Sequence, residues 1–179
     1  MKVGKILIVV GAIITLFSTF VLSFARTNGA DGRTFSSGIG FLLNLPDIFG
    51  NVAYWIGFNG GEVALEYIMS IIFIVFVFSG VIQLLGLLNK YVGFVGSLLA
   101  IAFGITIITF VAVDIPGWGL NQYSSLFWAP PIVSGSYPID VPVMTASGAF
   151  YQNLQLGTIT LIIGGGVALT GGILTLKDI

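Results

Sequence analysis

The sequence has no cysteine and no histidine, and it is poor in charge: six Lys+Arg and seven Asp+Glu in 179 residues, 7% of the chain. Each scarcity excludes some chemistry. Without cysteine there are no disulfides, no thiolate nucleophile and no thiolate-ligated metal or cluster. Without histidine there is no imidazole base, no histidine-ligated haem and no histidine–zinc site. A formal net charge of −1 offers nucleic acid no general attraction. Hydrolase, metalloprotease, P-loop and dinucleotide-binding motifs are missing too. Gly38-Ile39-Gly40 and Gly117-Trp118-Gly119 lack the strand–turn–helix context that a nucleotide fingerprint needs. No catalytic residue, cofactor or metal site is therefore expected.

What remains is apolar: 56% hydrophobic residues, 25 Gly and a mean hydropathy of +1.08. Soluble domains carry about 25% charged residues. So few charges cannot cover a soluble globule of this size, and the composition is that of an integral membrane protein. A spanning helix needs about 20 mostly apolar residues. Four segments qualify: residues 3–25, 62–88, 91–114 and 155–176. Asn89 and Lys90 alone separate the second from the third, predicting a tight antiparallel hairpin. The first also carries Lys2 and Lys5 at its start, and Ser23 and Ala25 before Arg26, as a secretory signal does. Its apolar run of roughly 19 residues is long for a signal, so a retained helix is expected.

Lysine and arginine placement sets orientation. With both termini cytoplasmic, Lys2, Lys5, Lys90 and Lys177 lie inside, and only Arg26 and Arg33 lie outside. Asp31, Asp47, Glu62, Glu66, Asp114 and Asp140 then share the outer side. This predicts a protein integral to the cell membrane with N- and C-termini inside and two long outer loops, 26–61 and 115–154.

Those loops are unusually apolar. Residues 38–58 approach the length of a fifth span, but Pro46-Asp47 at the centre, Asn44, Asn51 and several glycines argue against one. A helix or turn on the outer interface, or folded over the bundle, is expected. The second loop holds Trp118, Trp128, Tyr123, Tyr137 and Tyr151 among five prolines. Disordered segments are poor in aromatics, so an ordered cap is expected. It has room for one short strand within 139–144, held to a sheet edge by Pro142.

Small residues recur at helical spacing. Gly11, Thr15 and Ser18 share a face of the first helix; Gly93, Gly96, Ala100 and Gly104 share one on the third; Thr160, Gly164, Ala168 and Gly172 share one on the fourth. Such ridges let backbones approach closely in lipid. They serve either packing within one bundle or contact with another subunit.

Polar groups in the spans are few. Ser70, Ser79 and Gln83 lie in the second helix, and Gln83 is expected to hydrogen-bond across the bundle or to Ser79. Glu62, Glu66 and Asp114 share the outer level. Asp114, at a helix C-terminus where the dipole disfavours an anion, is expected to pair with Arg26.

The layout of inner termini, two outer loops and a short inner turn resembles the tetraspan arrangement of claudins and tetraspanins. The likeness is one of topology. The Trp…Gly-Leu-Trp-Cys…Cys signature of claudins and the Cys-Cys-Gly of tetraspanins have no counterpart, the first loop offering Tyr54-Trp55 alone.

The expectation is an all-α membrane protein: a four-transmembrane-helix bundle capped by two ordered extracytoplasmic loops. Its expected function is non-catalytic and structural or accessory. It would pack in membrane lipid with copies of itself or a larger membrane complex, through the glycine-rich faces and through Trp55, Trp118 and Trp128. One alternative is the protomer of an oligomeric channel with an acidic outer mouth; another is a lipid- or quinone-handling enzyme.

Overall fold

The computed structural model describes residues 3–29, 32–59, 62–112, 126–129, 140–142 and 151–177. In chain order these form helix α1 (Val3–Phe20), strands β1 (Ala25–Gly29) and β2 (Gly32–Ser36), and helices α2 (Gly38–Gly50), α3 (Val52–Asn59), α4 (Val63–Val77), α5 (Ser79–Leu85) and α6 (Lys90–Ala112). Strands β3 (Trp128–Ala129), β4 (Asp140–Pro142) and β5 (Tyr151–Gln155) follow, and then helix α7 (Leu156–Lys177).

The framework is that of a helical membrane protein. Helices α1, α6 and α7 are each long and apolar enough to cross a bilayer, and α4 with α5 reaches that length as a broken pair bent by 49°. The bend, in a segment expected to be continuous, has a local cause. Non-proline kinks concentrate at Gly/Ser pairs, and Ser79-Gly80 stands at the break. Along α1, Val3, Ile6, Val10, Ile13 and Phe17 form the exposed stripe. Their 3,4 spacing keeps them on one face, where lipid replaces water as the solvent.

Side-by-side packing runs α1–α7–α6–α5 and back to α1, a closed ring in the half of the molecule near Asn89 and both termini. Above the break α4 leaves the ring and packs mainly against α2, α3 and α6. The opened space is filled by phenylalanine rings and by α2. Ser37 caps α2, its side chain accepting from the Gly40 N–H at 3.1 Å. Pro46 is accommodated inside α2; it lacks the N–H that would reach the Leu42 carbonyl. Residues 38–58 are thus two consecutive helices, with the buried Phe41 and Ile48 anchoring the first.

A five-stranded sheet, in the order β3-β2-β1-β5-β4, is the main departure from the expected layout. It grows out of the α1–α7 pair. Helix α1 stops at Phe20 because the Val21 and Leu22 N–H groups both turn back to the Phe17 carbonyl, at 2.9 and 3.3 Å. The Phe24 N–H then bonds the Ser36 carbonyl at 2.6 Å, and the Gln155 N–H bonds the Phe24 carbonyl at 2.8 Å. β1 lies between β2 and β5, antiparallel to both. The β1–β2 hairpin closes with Gly29 opposite Gly32. The strand expected within 139–144 is present as β4, and it is an edge strand with Pro142 opposite Asn153.

Candidate functional site: small-residue contacts, a phenylalanine layer and interior polar groups

The small-residue faces are in contact inside the chain. A Cβ added at Gly11 would stand 2.6 Å from the Gly164 carbonyl oxygen and 2.7 Å from the Ala168 Cβ. One added at Gly164 would meet Thr15 Oγ1 at 2.7 Å. The same α1–α7 seam continues at Gly4 and Gly171, where the Cβ of Gly4 would lie 2.8 Å from the Gly171 carbonyl oxygen, and at Gly157 against Ser23. Ser18 donates to Thr160 Oγ1 across it at 2.7 Å. Between α5 and α6, Gly93 abuts Gly86 and Gly96 abuts Ile82 and Gln83. Between α6 and α7, Gly104 abuts Ile162, and Gly165 abuts Ile101 and the Ser97 carbonyl. Ala100 and Ala168 are fully buried. Gly172 is looser, its nearest neighbour Phe94 at 3.8 Å. Gly166, on the outer side of α7, has nothing within 4 Å. Gly4 and Gly86 join these seams although each stands alone in its turn; only the partner helix shows their use.

Above the ring, Phe127 is the hub of an aromatic layer. Its ring lies 5.0 Å from Phe41, 4.7 Å from Phe73, 5.7 Å from Phe103 and 6.2 Å from Phe24. Phe24 and Phe103 meet edge-on at 5.1 Å. Residues 126–127 form a 3-10 turn from the second long loop, so this loop inserts a side chain between α2, α4, α6 and the root of β1. The Asn44 side chain donates to the Leu126 carbonyl at 3.2 Å and the Ser37 N–H to the Phe127 carbonyl at 2.8 Å, fixing the turn to α2. Edge-to-face and offset ring pairs contribute about 0.5–1.5 kcal/mol each beyond burial.

Trp55, expected as an interaction anchor, is instead held within the chain. It is 8% exposed and donates through Nε1 to Asp47 Oδ2 at 3.0 Å. The exposed side of this region presents Leu43, Phe49 and Tyr54, with Phe49 stacked on Tyr67 at 5.6 Å. Trp128 enters β3 opposite Ser36, and Trp118 lies outside the described residues. So does Asp114, and with it the expected ion pair to Arg26. Arg26 itself does not end a helix: it sits in β1, opposite Phe35 and Asn153.

Glu66, Ser70, Phe73 and Val77 face inward along α4, and Ser79 and Gln83 along α5, all of them buried. The Gln83 Nε2 reaches across to the Gly96 carbonyl at 3.4 Å, the cross-bundle bond expected of it. Ser70 Oγ, Ser79 Oγ and Gln83 Oε1 have no hydrogen-bond partner among the described residues. Phe73 and Val77 separate Ser70 from Ser79, so the inward polar groups form two islands rather than a stripe. The two outer glutamates also part company. Glu62 is exposed at the start of α4, while Glu66 one turn later is fully buried. Among the described residues no three His, Cys, Asp or Glu side chains gather as a metal site would require. No protein-family model, curated protein or solved structure matches the chain.

Proposed function

We propose that the chain is a non-catalytic structural or accessory membrane protein with four crossings, the fourth being the α4–α5 pair. Both termini lie inside, and the two outer loops form a cap. Its partners are copies of itself or a larger membrane protein. The observation that supports this most directly is the interior: small residues seal the ring, and a layer of five mutually packed phenylalanines closes the space above it. Such a core suits a rigid building block better than a conduction path or a reaction chamber. The channel alternative loses one of the three carboxylates of its acidic mouth with the burial of Glu66. With the glycine seams engaged inside the chain, the faces left for a partner are the outer side of α7 around Gly166 and the Leu43–Phe49–Tyr54 surface of α2 and α3. Exposed apolar clusters on an outer face are what partners cover.

The test is the mass of the purified protein in mild detergent and the identity of what copurifies with it. An assembly larger than the 18.9 kDa chain plus its detergent, reduced by Leu43→Ser with Tyr54→Ser but without loss of helicity, supports the reading. A monomer with no companion in gently solubilised native membrane refutes it.

A further inference from the structure

The break between α4 and α5 places two complementary polar groups in the middle of the closed ring. Ser79 and Gln83 are four residues apart, so their side chains leave the same face of α5, with Cβ atoms about 5–6 Å apart. Both residues are 0% exposed, and neither Ser79 Oγ nor Gln83 Oε1 has a hydrogen-bond partner among the described residues. The rest of Gln83 is committed, since Nε2 reaches the Gly96 carbonyl of α6. The contacts next to these groups are largely apolar or backbone. Gly80 abuts Leu16 of α1, Gly96 abuts Gln83 itself, and the other fully buried side chains of the ring include Ala12, Ala100 and Ala168. Of the buried hydroxyls on the neighbouring helices, Ser97 donates to the Gly93 carbonyl at 2.8 Å, while Thr15 Oγ1 faces α7 at Gly164 and is itself without a hydrogen-bond partner among the described residues.

Buried polar atoms without protein partners are met by ordered water, which typically makes about three hydrogen bonds. Broken transmembrane helices in particular are satisfied by side-chain hydroxyls and ordered water. We propose that the Ser79–Gln83 face of α5 is a binding site for one internal water molecule, which accepts from the Ser79 hydroxyl and donates to Gln83 Oε1. The chemistry matches at both ends. A hydroxyl supplies the donor, a carboxamide oxygen the acceptor, and a gap of one helical turn suits a single bridging molecule. The site takes water rather than an ion, because no charged side chain lies on this face of α5. Its place at the bend explains why the turn carries Ser79 and Gln83 instead of aliphatic residues: the water supplies polar contacts where the second span changes direction.

The experiment pairs a structure of the intact protein in lipid, at a resolution that shows water, with thermal unfolding of variants. Density within hydrogen-bonding distance of both Ser79 Oγ and Gln83 Oε1 is expected. Ser79→Ala should lower Tm by about 2–4 °C, Ser79→Thr should restore most of it, and Ser79→Ala should have little further effect once Gln83→Leu is present. A direct Ser79–Gln83 hydrogen bond with no water density overturns the proposal. So does a Ser79→Ala protein as stable as the parent or more so, the result expected when an unsatisfied buried hydroxyl is simply removed.

Discussion

Gly11→Ala and Gly166→Ala make the same chemical change on two helices that touch each other, and the structure predicts opposite outcomes. At Gly11 the new methyl would stand 2.6 Å from the Gly164 carbonyl oxygen and 2.7 Å from the Ala168 Cβ, against the 3.4 Å at which ordinary contact begins. The Ala168 backbone nitrogen lies closer still, so the helices must separate there by more than the 0.8 Å between 3.4 and 2.6 Å. The obstacle is partly α7 backbone, so no side-chain rotation relieves it. Separation also loosens the Gly4–Gly171 contact below and the Ser18–Thr160 hydrogen bond above. Overpacking of this kind costs about 1–3 kcal/mol, which exceeds the roughly 0.5–1 kcal/mol gained by replacing a helical Gly with Ala. At Gly166 nothing lies within 4 Å, so only that gain remains. For a chain of this size 1 kcal/mol moves Tm by about 2–4 °C. The gain is common to both, so the two variants should unfold roughly 2–12 °C apart in the same detergent, Gly11→Ala below the parent and Gly166→Ala level with or above it. Thermal unfolding followed by circular dichroism reads this directly. If Gly11→Ala matches the parent, the close α1–α7 seam is wrong. If Gly166→Ala keeps its Tm but falls apart into smaller assemblies, the outer face of α7 is a partner contact.

Phe127→Ala removes the hub of four ring contacts and should cost about 3–5 kcal/mol, as for other buried aromatics, read as a fall in Tm by circular dichroism. Trp55→Phe deletes the hydrogen bond to Asp47 while keeping most of the ring, and should cost about 0.5–1.5 kcal/mol in urea or thermal unfolding without changing the mass of the assembly. Because the chain has no cysteine, single cysteines report topology without background. Asn89→Cys should react with an impermeant maleimide only from the cytoplasmic side, and the exposed Asn51→Cys only from outside. The reverse pattern would overturn the orientation.

The membrane-crossing segments were legible because lipid makes a demand that composition alone can meet: about 20 apolar residues in a row. Val3–Phe20, Lys90–Ala112 and Leu156–Lys177 sit inside or close to the expected bounds. Helical spacing likewise exposed the small-residue faces, since 3.6 residues per turn fixes which side chains share a side. Spacing does not say which face meets which. Gly11 finds Gly164 and Ala168, Gly104 finds Ile162, and Gly166 finds nothing; those pairings depend on how four helices close into a ring.

The sheet was the harder case. Asp31-Gly32 between Arg26-Thr27 and Arg33-Thr34 is a hairpin dipeptide, but its flanks lack the alternating apolar residues that mark strands. β3, β4 and β5 are two to five residues long and are defined by partners as much as 129 positions away, such as Leu154 opposite Ala25. Short strands carry too little periodicity of their own, and their hydrogen bonds exist only once distant segments meet. The same holds for Trp55 and Phe127. Both are aromatic residues in long loops, alike to any rule based on composition. One is tied to Asp47 eight residues back, and the other becomes the centre of the core because α4 bends away at Ser79 and leaves a space of its size. Local sequence determined which stretches are long and apolar enough to cross a membrane. Only tertiary structure decided which aromatic rings are core and which are surface, because burial is a property of the space between elements rather than of any residue within them.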